Sequence, residues 1–137
     1  MKIRGNTILN SLDVFNDFKI QDDYIINIPL PSEEEQHELL SKHGLLANKF
    51  ITIQRGANPK SKFKDLPKLW LKDYYIQLIQ LIKEKFPGFK IVQVGQVTET
   101  SSELAGVDVS LLGQTNLDTL KTLLKNSYLH FDSECGM

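Results

Sequence analysis

The chain has 137 residues, 41% of them apolar, and its 16 Lys and Arg against 17 Asp and Glu leave a formal charge of −1. That is one ordinary globular domain with length enough to bury a core, and it has no global field to attract a polyanion such as nucleic acid. A single cysteine, Cys135, excludes an intrachain disulfide framework and fits a reducing compartment.

Residues 1–23 are weakly patterned. Val14, Phe15 and Phe18 are interrupted by Asn and Asp, so this part reads as a lead-in or linker remnant, with the folded domain over 24–137. It has neither an apolar h-region nor a small-residue cleavage site, and no run approaches the ~20 apolar residues of a membrane helix. The cytoplasm is the expected location.

Tyr24 to Ile28 is a short extended run stopped by Pro29 and Pro31. Ser32 and Glu35 form a capping box, and Glu33 to Glu35 suit the positive end of a helix that should reach Lys42 or His43 and stop at Gly44. Phe50-Ile51-Thr52-Ile53 is a buried strand that breaks at Arg55-Gly56. The loop that follows carries Lys60, Lys62, Lys64 and Lys68 against one acid, Asp65. A helix is predicted just after Trp70, with Tyr75, Leu78, Ile79, Ile82 and Phe86 on one face and Pro87-Gly88 at its end.

Lys90 to Val94 is a second buried strand, closed by Gly95. A polar loop from Gln96 to Glu103 leads to a short helical turn predicted around 101–105. Asp108 to Leu112 reads as a third strand closed by Gly113. Thr115 or Asn116 should cap another helix, with Leu117, Leu120, Leu123 and Leu124 inward. Tyr128 to Phe131 is a fourth strand, broken at Asp132-Ser133. Short apolar strands alternating with helices, without hairpin turns, predict an α/β fold: a Rossmann-like open parallel sheet of about four to five strands flanked by helices.

In such a sheet, ligands bind beyond the carboxyl ends of the strands. Those ends hold Arg55-Gly56, then Gly95-Gln96 with Glu99, then Gly113-Gln114-Thr115, then Asp132-Ser133-Glu134. Glycines let backbone approach a ligand, and the lysine-rich loop and the helix start after Thr115 offer positive charge to phosphate. Glu99 could accept hydrogen bonds from ribose hydroxyls. The combination reads as a nucleotide pocket.

Plainer readings stand beside it. Strand-end glycines are also turn formers, and loop lysines are usually solvated. Trp70 reads as core packing near a helix start rather than as a stacking platform. Cys135 with His130 as its base would need a strand side chain and one in the next turn to face each other. His37 and His43 lack metal-ligand spacing, and no P-loop or G-x-G-x-x-G pattern occurs. No metal, no cofactor and no catalytic residue is expected in the chain.

Three blocks carry a resemblance: ITIQRGANPKSKFKDLPKLW at 51–70, IVQVGQVTE at 91–99, and GQTNLDTLKTLLKNSYLHFDSECGM at 113–137. In order and spacing they resemble the C-terminal, donor-binding half of GT-B glycosyltransferases of family 9, the ADP-heptose:lipopolysaccharide heptosyltransferases and their relatives. The resemblance implies that Arg55, Gly56 and Lys62 or Lys68 lie near the diphosphate of a nucleoside diphosphate sugar such as ADP-heptose. Glu99 would meet the ribose, Gly113, Gln114 and Thr115 would flank base and ribose, and Asp132, Ser133 and Gly136 would line the phosphate and sugar side. Cys135 stands where the family commonly has glycine.

The family's catalytic base lies in an N-terminal domain with no counterpart in this chain, and the family continues past the D-S-x-G block. The expectation is therefore a donor-binding portion that does not turn over alone: a truncated protein, an excised domain or a degenerate paralogue. Its partner would be the missing N-terminal domain. The alternative is a non-catalytic Rossmann-like domain docking on a partner chain through an open sheet edge. RNA binding is disfavoured, since only Phe63 interleaves with the lysines.

Overall fold

A computed structural model describes residues 2–4, 25–56, 70–98 and 101–132, and the chain divides into two compact units, Met1–Leu30 and Pro31–Met137. In the first unit β1 (Lys2–Arg4) pairs antiparallel with β2 (Ile25–Asn27), Ile3 lying opposite Ile26. The extended run at 24–28 is where the sequence places it. Its partner is not legible there, because three residues cannot establish a two-residue period.

The second unit is a three-layer α/β structure. It comprises α1 (Glu33–Lys42), β3 (Phe50–Gln54), α2 (Lys72–Lys85), β4 (Lys90–Val94), β5 (Val109–Ser110), α3 (Leu117–Asn126) and β6 (Leu129–Phe131). The four strands form one open sheet in the order β5-β4-β3-β6, and every pairing is parallel. β3 and β4 run with burial on both faces, as central parallel strands should.

Alternation along β3 and β4 divides the core. Phe50, Val92 and Val94 pack with Leu40, Leu45, Leu111 and Leu123 on the side of α1 and α3. Ile51, Ile53 and Ile91 pack with Tyr75, Ile79, Ile82 and Leu104 on the side of α2. The stripe predicted for α2 is thus its buried face, with Leu78 and Phe86 at its margins.

Helix ends follow the local chemistry. The Glu35 amide donates to Ser32 Oγ (3.3 Å) and the Ser32 amide to Glu35 Oε2 (2.8 Å), closing the capping box. The Ser32 hydroxyl, which donates to the same Oε2 at 2.7 Å, and then the Ser32 amide hold the Glu35 carboxyl below the usual carboxylate range. Gly44, at φ +60°, turns the chain out of α1. Gln36 then ties α1 to α3: its Oε1 accepts from Lys125 Nζ (3.1 Å) and Asn126 Nδ2 (3.2 Å), while its Nε2 donates to the Pro31 carbonyl (2.6 Å).

Three expectations are corrected. Leu117 is 70% exposed, because it opens α3 a turn short of the residues that reach the sheet. No helical turn forms at 101–105; Ser101 sits in an isolated antiparallel bridge with Thr98, and the chain turns at Ala105-Gly106. Trp70 is 56% exposed and is not core.

Candidate functional site

The strand order reverses between β3 and β6. The chain runs outward from β3 through β4 to β5, then returns to place β6 on the other side of β3. Ile53 pairs with Phe131, so Gln54-Arg55-Gly56 and Asp132 leave the sheet side by side. A reversal of this kind parts the flanking connections above the strand ends and opens a crevice there.

The neighbouring strand ends close in on the same rim. Gly95, at φ +122°, follows β4, and a Cβ there would lie 3.5 Å from Gln54 Cγ. Its carbonyl accepts from the Gly113 amide at 2.7 Å, which joins the end of β4 to that of β5. Val97, itself 71% exposed, packs its methyl beside Gly113. A Cβ on Gly56 would meet Ser101 Cβ at 3.0 Å, so the turn after β3 nests against the loop after β4. That close approach requires glycine.

Polar groups, one of them fully buried, hold the loop after β4 in place. Gln93, fully buried within the apolar strand β4, donates from Nε2 to the Ser102 carbonyl (3.0 Å) and accepts at Oε1 from the Leu104 amide (2.8 Å). Asp108 accepts from the Ile91 amide (2.8 Å) and from Lys83 Nζ (2.9 Å). Arg55 Nε donates to the Trp70 carbonyl (3.3 Å) and Lys72 Nζ to Ser102 Oγ (3.2 Å), which fastens the start of α2 to both loops.

The two helix starts at the rim differ. Asn116 Oδ1 accepts from the Thr119 amide at 2.8 Å, so α3 carries its own cap. The N-cap of α2 is Leu71, which offers no side chain to the first amides. The positive end of α2, beside Arg55, is the one left uncapped by a side chain.

On β6, His130 Nδ1 lies 2.9 Å from Thr52 Oγ1, and Thr52 Oγ1 is 3.4 Å from the Leu129 carbonyl. His130 Nε2 is buried without a hydrogen-bond partner among the described residues. Burial holds the imidazole pKa below its ordinary value, while Asp132 and a hydrogen bond to Thr52 pull it up.

Of the residues expected at a site, Arg55, Gly56, Gly95 and Gly113 meet at one rim, and Asp132 leaves the sheet beside β3. Gln114 is turned back on its own loop, its amide donating to the Leu111 carbonyl (3.1 Å) and its Nε2 to Ser110 O (3.5 Å). Thr115 is half-buried just before the α3 cap. Lys62, Lys68, Glu99 and Ser133 lie outside the described residues, as do Lys60, Lys64, Phe63, Cys135 and Gly136. Sequence reasoning missed Gln93, whose one signal is a long amide inside an otherwise apolar strand, and the exposure of Trp70. Among the described residues no group of His, Cys, Asp and Glu could hold a metal ion, and no helix is long and apolar enough to cross a membrane.

No family model and no curated protein sequence matches the chain. Among solved structures, the ADP-heptose lipopolysaccharide heptosyltransferase II of E. coli is similar, with a TM-score of 0.56 and 19% identity. The match covers 80% of this chain and 37% of the heptosyltransferase, so the chain spans little more than a third of that protein. Likeness at this identity establishes the fold: an open parallel, Rossmann-like sheet with flanking helices of the heptosyltransferase GT-B type.

Proposed function

We propose that this chain is the donor-binding portion of a family 9-type glycosyltransferase, one that holds a nucleoside diphosphate sugar such as ADP-heptose during synthesis of cell-envelope or lipopolysaccharide glycans. The observation that carries the reading is the reversal between β3 and β6, which puts Arg55-Gly56 and Asp132 at one crevice with Gly95 and Gly113 beside it. Arg55 and the positive end of α2 receive the diphosphate, together with Lys62 or Lys68. Gly95, Glu99, Gly113, Gln114 and Thr115 serve the base and ribose, and Asp132 and Ser133 the sugar-phosphate side.

Chemistry requires a base from a second domain, which removes the proton of the acceptor hydroxyl as that oxygen attacks the anomeric carbon and the diphosphate leaves with inversion. This chain contributes stabilisation of the leaving diphosphate, and does not turn over alone. The reaction belongs in the cytoplasm, where such donors are available. Titration calorimetry and amide-shift mapping with ADP, UDP and GDP sugars test the reading. Shifts at Arg55, Glu99, Thr115 and Asp132 support it, and their absence at millimolar ligand removes it.

A second reading rests on β6, where Leu129 is 41% exposed, Tyr128 just before it is 51% exposed, and no described strand pairs beyond. An open edge with apolar side chains suits a non-catalytic domain that docks on a partner chain. Concentration-dependent sedimentation without nucleotide binding would favour this second reading.

A further inference from the structure

The start of α2 presents an aromatic corner to solvent. Trp70 is 56% exposed, Leu71 62% and Tyr74 53%. The corner is held in place. The Trp70 ring meets Tyr74 at 6.5 Å and an interplanar angle of 86°, and the buried Tyr75 at 5.8 Å and 66°. Both contacts are edge-to-face, and neither neighbour stacks parallel to the indole. The Trp70 backbone is fixed as well, because its carbonyl accepts from Arg55 Nε at 3.3 Å.

Aromatic surface of this size is ordinarily turned inward, and leaving it exposed beside Arg55 at the start of α2 forgoes hydrophobic stabilisation that an incoming ring would recover. Its neighbours define what that ring is attached to. Arg55 and the α2 amides, which have no side-chain cap, favour an anion, and the indole beside them favours a flat or apolar face. The occupant is therefore a ring carried on an anionic group. In a nucleoside diphosphate sugar two rings qualify. The proposed base and ribose positions lie at the ends of β4 and β5, whereas the Trp70 carbonyl is bonded to Arg55, the first residue past β3.

We infer that Trp70 is the stacking platform for the glycosyl ring of the donor, an assignment that rests on the donor-binding reading above. The C–H face of a pyranose packs on the indole and its hydroxyls point away, so the ring is oriented without burying polar groups unpaired. Binding then depends on the sugar as well as the nucleotide.

Trp70 is the chain's single tryptophan, so its fluorescence reports this corner alone. The 137-residue chain is titrated with ADP-glucose, UDP-glucose and GDP-mannose, each against the bare nucleoside diphosphate, while amide shifts of Gly95 and Gly113 report occupancy of the nucleotide positions. The inference expects the emission to change with a sugar conjugate and to change little with its bare diphosphate, both ligands moving the two glycines. Equal emission changes would place the base or phosphate on Trp70 and overturn the inference while leaving donor binding intact. Glycine shifts without any emission change would do the same. If no ligand moves the glycines, the donor reading and this inference fall together.

Variants supply the second arm, read by calorimetry. Trp70→Ala should lower the affinity ratio of sugar conjugate to bare diphosphate by roughly five- to tenfold, the range of one good ring contact. Trp70→Phe should retain most of it. An unchanged ratio in folded Trp70→Ala overturns the assignment.

Discussion

Thr52 and His130 face each other across β3 and β6, and their side chains meet at 2.9 Å between Oγ1 and Nδ1. Burial depresses the imidazole pKa, with Asp132 opposing. A histidine whose folded pKa lies below its unfolded value near 6.5 leaves the unfolded state binding more protons as pH falls. The stability it contributes is present above about pH 6.5 and is lost as pH drops toward the folded value. Urea midpoints should therefore fall between pH 7 and 5, and His130→Gln should flatten that slope. An identical slope in the variant would assign the acid sensitivity to other groups.

Gln93 serves two backbone groups of the loop after β4, the Ser102 carbonyl and the Leu104 amide. Gln93→Leu keeps the volume and strands both, at about 1–3 kcal/mol for each unsatisfied group. The expected loss is roughly 2–6 kcal/mol in urea unfolding, with faster hydrogen exchange at the Leu104 amide. A loss under about 1 kcal/mol would mean that the loop finds other partners.

Gly88 and Gly106 share a left-handed backbone, at φ +89° and +91°, yet they should respond differently to alanine. A Cβ at Gly88 meets nothing within 4 Å, whereas one at Gly106 falls 2.9 Å from Ile79 Cγ2 in the core. Gly88→Ala should cost about 1 kcal/mol of backbone strain. Gly106→Ala adds a steric clash and should cost about 1–3 kcal/mol more. Equal unfolding midpoints for the two variants would show that the Ile79 side of the core yields freely.

Arg55 joins the cationic end of β3 to the start of α2 through the Trp70 carbonyl. Arg55→Gln should weaken nucleoside diphosphate binding about tenfold or more, the loss of a charge-assisted hydrogen bond. The salt dependence of binding should also become shallower. Calorimetry at two ionic strengths measures both. Undiminished affinity would remove Arg55 from the diphosphate wall.

Local chemistry made much of the fold legible. The stripe through Tyr75, Ile79 and Ile82 announced α2, and Ser32 with Glu35 announced the start of α1. The strands at 50–54 and 90–94 were readable as β-branched runs ended by glycine turns. What local pattern does not encode is where an element ends up among the others. Leu117 obeys the α3 period but overshoots the sheet, and Trp70 is as apolar as a core residue but lies at a helix mouth. Gln93 shows the converse, since its amide is buried because two loop backbone groups await it. That glycines and Arg55 stand at strand ends is legible in the sequence, while the uncapped start of α2 is evident only once Leu71 is seen as its N-cap.

The return of β6 to the side of β3 also dictates an order of events during synthesis. Thr52 can meet His130 only after 77 intervening residues have left the ribosome, so the pairing carries a large loop-closure cost and forms late. β3, β4 and α2 can assemble first, because their contacts are nearer in sequence. Until β6 arrives, one side of β3 is an unpaired edge with Ile51 and Ile53 beside it, a surface on which nascent chains associate with one another. The last strand to join the sheet is thus also the element that ends this exposure, so a chain released before β6 has paired carries its most association-prone surface uncovered.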